Sequence, residues 1–178
     1  MEQRATHTNT YRKLVGGTTI NSETLLSTDY LNHFNELVML LEMVPDMPDM
    51  FEEVKAWQPK TYQEHFRDSS FTHKDLAVMA YEHSPDDYRL PFDQTIEAIY
   101  GLIRSELPEI DRTIQQGNAD IIREKTLRFS SNLQKLMDRA SGIINGVEHY
   151  TKGAEELIHE VEAEDTVMNQ SAIDSLFD

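Results

Sequence analysis

Apolar residues in the second half of the chain return at helical spacing. From Ile122 the stripe runs through Thr126, Phe129, Leu133, Leu136, Ala140, Ile143, Val147, Tyr150, Ala154, Leu157 and Val161, in alternating steps of four and three. That 3.5-residue period is a heptad seam, which keeps one helix face turned toward a partner helix. At 1.5 Å per residue it predicts a helix of roughly 60 Å. Gly142, Gly146 and Gly153 interrupt it, each lowering helix stability by up to about 1 kcal/mol relative to alanine, so local bends are expected. Upstream, Phe92, Ile96, Ile99, Ile103, Leu107, Ile110 and Ile114 form a second stripe, which Pro108 is expected to kink or split. Between the stripes, Gly117 can close one helix and Asn118 can cap the next. The pattern therefore predicts an antiparallel helical hairpin over residues 91–161.

The first half is less regular. Leu26, Tyr30, Phe34, Leu37, Leu41 and Val44 predict an amphipathic helix over residues 22–44, capped by Ser22 and ended by Pro45 and Pro48. Met50, Phe51, Val54 and Trp57 suit a short helix stopped by Pro59. Tyr62 and Phe66 mark another turn, and Thr72 can cap a helix within FTHKDLAVMAYEH. Ser84-Pro85-Asp86-Asp87 reads as a helix start, with acids facing the positive end of the dipole. Residues 1–21, rich in Thr and Asn and holding Gly16-Gly17, read as a flexible N-terminal arm. No segment shows a convincing strand period. The expected fold class is all-α: a helical bundle over residues 22–161, built around the hairpin. A lone hairpin leaves apolar surface open, so either the helices of residues 22–83 or a second copy of the chain, in a homodimer, must cover it.

After Val161 comes an acidic linker, and residues 162–178 end in MNQSAIDSLFD. Asn169 can cap a short helix, with Met168 and Ile173 as a hydrophobic staple. Ile173, Leu176 and Phe177 share one face, while Asp174 and Asp178 lie elsewhere. So short a helix is marginal alone in water and is suited to folding in a partner's groove.

Charge narrows the choice of partner. The chain carries 16 Lys and Arg against 32 Asp and Glu, a net charge of -16. This argues against nucleic acid and against anionic lipid, both of which are held by excess cationic side chains. There is no cysteine, which removes disulfides and thiolate chemistry. Neither a signal peptide nor a membrane span is legible, so a cytoplasmic location is expected.

The stretch NQSAIDSLFD resembles the N-terminal peptide of the flagellar motor switch protein and the peptide that closes the chemotaxis phosphatase CheZ. Both dock on the CheY-type response regulator. The resemblance implies that Asn169, Gln170, Ile173, Asp174, Leu176 and Phe177 contact a response-regulator receiver domain. Asn169 stands where serine is usual, and Ala172 where glutamate completes a capping box. The phosphatase is itself a helical hairpin carrying its peptide on an acidic tether, the order of parts read here. By the same resemblance, Asp111 and Gln115, four residues apart, match the spacing of its catalytic Asp and Gln; Gln134 and Asp138 have that spacing in reverse. Such pairs also arise on any solvated helix face, and no catalytic role is assigned.

Histidine offers a different chemistry. His33 and Glu36 lie three apart, and Glu64-His65, Glu82-His83 and Glu148-His149 supply adjacent pairs. Helical bundles hold di-iron sites through inward Glu and His, and Fe, Mn or Zn accept both ligand types. The directed Glu-x-x-His motif is absent, however, and adjacent residues point about 100° apart on a helix. No cofactor is therefore expected, with a metal-dependent oxidoreductase as the alternative. Tyr81, Tyr88 and Trp57 are read as packing residues rather than a ligand cage. The expectation is a non-catalytic adaptor that recruits a receiver domain; a receiver-domain phosphatase is the other alternative.

Overall fold

The computed structural model describes residues 2–147 and 156–163, with side chains from residue 7 onward. The fold is all-α, and an antiparallel pair of long helices organises it. The first seven helices are α1 (Glu2–Leu14), α2 (Asn32–Met43), α3 (Phe51–Ala56), α4 (Tyr62–Asp68), α5 (Lys74–Glu82), α6 (Asp86–Gln116) and α7 (Ala119–Ile144). Residues 156–163 form an eighth helical segment, and short 3-10 turns at Thr28–Leu31 and Pro48–Met50 precede α2 and α3.

The hairpin forms as its stripes dictate. Phe92, Ile99, Leu102, Ile103 and Ile110 of α6 are buried against Ile122, Phe129, Leu133, Leu136 and Ala140 of α7. Gly117 turns the chain with φ 73°, and the Asn118 side chain accepts a hydrogen bond from the Ile121 amide. The left-handed backbone at Gly117 is the reason a residue without Cβ sits there. Pro108 neither splits nor ends α6, which runs through both Pro91 and Pro108. Each proline removes one amide donor, but burial of the α6 stripe on both sides of Pro108 holds the helix together.

The long seam is not one helix. α7 stops at Ile144, where Gly146 adopts φ 75°. The Gly146 amide donates to Ile143 O and the Val147 amide to Gly142 O, at 3.0 and 2.9 Å. This is a Schellman closure, which satisfies carbonyls that a continuing helix would have used. Seam residues up to Ile143 are buried, whereas Val147 is 76% exposed. Tyr150 and Ala154 lie outside the described residues. Leu157 and Val161 are buried again in the segment 156–163, which packs beside Gly101 of α6.

The helices between residues 32 and 82 supply the layer that covers the hairpin. α2 buries Phe34, Leu37, Val38 and Leu41 and packs on α7. It starts later than the periodicity predicts. Residues 21–27 form a turn in which Leu25, wholly buried, takes φ 62°, and Ser27 caps the Thr28–Leu31 turn that leads into α2, in place of the Ser22 cap expected. Hydrogen bonds from the Glu23 and Thr24 amides to Asn21 Oδ1 hold that turn and compete with helix. α4 opens with a reciprocal capping box between Thr61 and Glu64. α5 begins after His73, one residue beyond the Thr72 cap read from sequence.

The segment expected as an arm, residues 1–21, carries α1 and packs on the bundle. Tyr11 stacks on His83 with ring centroids 4.4 Å apart, and Val15 and Ile20 are buried in the core. Two isolated apolar residues among threonines give too little periodicity to announce such docking. Among the described residues, no helix is long and apolar enough to cross a membrane.

Candidate functional site

The one-face spacing of α6 sets up a cleft. Asp93, Glu97, Tyr100 and Arg104 recur in steps of four, three and four, so all four side chains leave the helix on the same side. α4 and α5 face them. The capping box places Tyr62 in the first turn of α4, and α5 contributes Tyr81 near its end. The Thr28–Leu31 turn adds Tyr30 as the floor. Together they enclose a cleft of about 330 Å³.

Its tyrosines are tied by hydrogen bonds. Tyr30, with no exposed surface, donates its hydroxyl to Lys60 O at 2.7 Å. Tyr100 donates to the same carbonyl at 2.5 Å, and the two hydroxyls are 3.2 Å apart. Tyr62 Oη accepts from the Ser27 amide at 2.9 Å. Tyr81 Oη donates to Asp93 Oδ1 at 2.7 Å. Tyr62 and Tyr81 stack with centroids 4.8 Å apart. Burial pushes all four phenols above their ordinary range, so at neutral pH they are hydrogen-bond donors and not bases. Burial also pushes the Asp93 carboxyl up, against the Tyr81 hydrogen bond and the positive charge of Arg89. The cleft is thus an aromatic box with one half-buried carboxyl on its wall.

The two candidate metal ligands, His33 and Glu36, differ in burial. His33 is 8% exposed and its ring stacks on Trp57, with centroids 4.4 Å apart. Glu36, three residues on, is exposed to solvent at the edge of the face that buries His33. Burial lowers the His33 pKa to about 4, and the nearby His65 and Lys60 add to this. Its Nε2 has no hydrogen-bond partner among the described residues. His65, 5.9 Å from it between ring centroids, is likewise lowered by burial. The described residues hold no cluster of three or more His, Asp or Glu fit for a metal ion.

Asp111 and Gln115 do share one face of α6, near the hairpin turn, and that face is open. Asp111 is half-exposed, 3.9 Å from Lys55 Nζ, and Gln115 is exposed. Gln134 and Asp138 are exposed on α7 along a shallow groove of about 390 Å³ that Glu42, Leu127 and Lys135 also line. The segment 156–163 packs on the same helix as Asp111. Ile158 sits against Gly101, whereas the charge of Glu162 bears on Glu106, five residues farther along α6. Lys135 of α7 donates to Val161 O at 3.4 Å, which ties the segment to α7 as well.

Asn169, Gln170, Ile173, Asp174, Leu176 and Phe177 lie outside the described residues. The tyrosine cleft escaped sequence reasoning because its walls come from separate segments. The only signal was the heptad-like step from Asp93 to Arg104, which interleaves with the apolar stripe of the same helix. Comparison of the chain with family models, with curated proteins and with solved structures gives no match.

Proposed function

We propose that this protein is a non-catalytic adaptor, a helical bundle that recruits a response-regulator receiver domain through its C-terminal peptide. The observation that carries this reading is the sequence NQSAIDSLFD following a helical segment anchored on the bundle by Leu157 and Val161. An anchored tether raises the effective concentration of a weakly binding peptide's partner at the bundle surface. The acidic net charge and the three apolar anchors Ile173, Leu176 and Phe177 suit a groove with a basic rim. The test is a titration of the full chain, and of a chain ending at residue 165, with a CheY-type receiver domain in phosphorylated and unphosphorylated forms. Binding by the full chain alone supports the reading, and equal behaviour of the two chains removes it.

One observation favours a second reading, receiver dephosphorylation. The anchored segment packs on α6, the same helix that carries Asp111 and Gln115. Asp111 lies ten residues beyond Gly101, roughly 15 Å along the helix. The five residues 164–168 span at most about 17 Å when extended. A receiver held by the peptide is then within reach of an acid and a side-chain amide able to orient water. On this reading the full chain speeds loss of phosphate from the receiver, and Gln115→Ala abolishes the effect while binding persists.

A further inference from the structure

The aromatic cleft between α4, α5 and α6 has the makings of a binding site independent of the C-terminal peptide. We propose that it binds a small organic cation, an amine carrying a compact aromatic or branched apolar body, with Asp93 as the counter-charge and Tyr81 and Tyr100 as the walls.

The chemistry follows from what each group leaves unused. Asp93 Oδ1 accepts the Tyr81 hydroxyl at 2.7 Å, and the structure gives Oδ2 no hydrogen bond among the described residues. The carboxyl is half-buried, and desolvation raises its pKa more than the Tyr81 hydrogen bond and the charge of Arg89 lower it. The nearest cation on its own helix, Arg89, is engaged with Asp86 at 2.8 Å. An incoming ammonium supplies the missing charge and donates to Oδ2.

The walls suit the same ligand. Aromatic faces carry a negative quadrupole that attracts cations, and tyrosine is among the residues that form such boxes. Tyr81 gives one face to Tyr62, and Tyr81 and Tyr100 are both half-buried, so each keeps surface toward the cleft. Phe92 and the buried Tyr30 and Tyr62 close the bottom, which provides an apolar seat for the body of the ligand. At about 330 Å³ the cleft lies at the small end of ligand pockets. Glu97 adds a second negative charge one turn from Asp93, and the net charge of -16 draws cations and repels anions at long range. Arg104 opposes this. It is exposed and stands eleven residues from Asp93, roughly 16 Å along α6, so it guards the far mouth without neutralising the carboxyl.

Trp57 is the single tryptophan and its ring centroid is 6.4 Å from that of Tyr100, which makes its fluorescence a reporter of the cleft wall. The experiment titrates the full chain with phenethylammonium and benzylammonium, and with 2-phenylethanol and phenylacetate as neutral and anionic counterparts. Amide chemical shifts locate the site in the same samples. The expected result is saturable binding of both cations, about tenfold or more tighter than either counterpart, with shift changes centred on Tyr81 and on Asp93 to Tyr100. Asp93→Asn is expected to lose that preference, and Glu124→Gln, which removes an exposed carboxylate of α7 outside the cleft, to retain it. Equal affinity for the alcohol and the cations overturns the proposal, as does preference for phenylacetate, absence of cation binding into the millimolar range, or shift changes centred elsewhere. Should Asp93→Asn fail to fold, the ligand series on the unaltered chain, with the site located by the shift changes, still decides the matter.

Discussion

Thr24 Oγ1 donates a hydrogen bond of 2.6 Å to the carbonyl of Ile144, joining residues 120 positions apart. The carbonyl is one of the last of α7, a group with no acceptor role left inside the helix. Thr24 is itself wholly buried, and its own carbonyl accepts the Ser84 hydroxyl at 2.6 Å. One threonine thereby ties the end of α7 and the approach to α6 to the turn that precedes α2.

Replacing Thr24 by valine keeps the shape and removes the donor, leaving Ile144 O buried without its partner. A buried unsatisfied carbonyl costs about 1–3 kcal/mol, so the urea midpoint of Thr24→Val should fall accordingly. Hydrogen exchange should quicken in the last turn of α7 before the rest of the helix.

Gly101 matters for the anchored segment. A Cβ there would stand 2.9 Å from Ile158 Cδ1, closer than packed carbons tolerate. A single methyl can be met by a rotation of Ile158, but the larger Gly101→Leu side chain occupies its seat. Leucine is a better helix former than glycine by somewhat less than about 1 kcal/mol. The expected outcome is a separation of two signals: global unfolding unchanged or slightly raised in midpoint, with amide protection lost over Leu157–Val161. Loss of receiver binding in the same variant would tie the anchor to the adaptor role.

His33 makes stability depend on pH with a definite sign. The folded protein holds it neutral, with a pKa lowered from 6.5 to about 4 by burial. In the unfolded chain it takes up a proton near its ordinary value, so its contribution is complete above that pH and is lost as pH falls toward 4. Discounted for partial solvent screening, the loss amounts to about 1–2 kcal/mol. Urea unfolding at steps between neutral pH and the folded pKa should show it, and His33→Gln should flatten that part of the curve relative to the unaltered chain.

The adaptor reading yields its own mutational test. If Ile173 and Phe177 are anchors, Ile173→Ala or Phe177→Ala weakens receiver binding by about 1–3 kcal/mol, measured by titration of the full chain. Thermal unfolding of the bundle should not move in either variant, since the proposal gives these residues no part in its core.

Much of the fold was legible because period and burial coincide in α6 and α7. The three- and four-residue steps from Ile122 to Ile143 and from Phe92 to Ile114 are what a helix facing another helix requires, and Gly117 and Asn118 supply the stop and the cap between them. The site was less legible. Asp111 and Gln115 were placed on one face by spacing alone, and they are so placed. His33 and Glu36 are three apart, within about 60° of each other around the helix, yet one faces the core and the other solvent. Spacing reports angle around a helix and says nothing of which angle is inward.

The amino-acid sequence by itself determined the helical class, the hairpin and its turn, and the acidic character of the surface, since each rests on local period, local backbone preference or summed charge. The tertiary structure decided where the seam ends, because Gly146 turns left-handed where Thr24 arrives to take the carbonyl of Ile144. It alone also brought Tyr30, Tyr81, Asp93 and Tyr100 around one cleft. Contacts between segments far apart in the chain leave no period in either segment, so they emerge only when the helices pack.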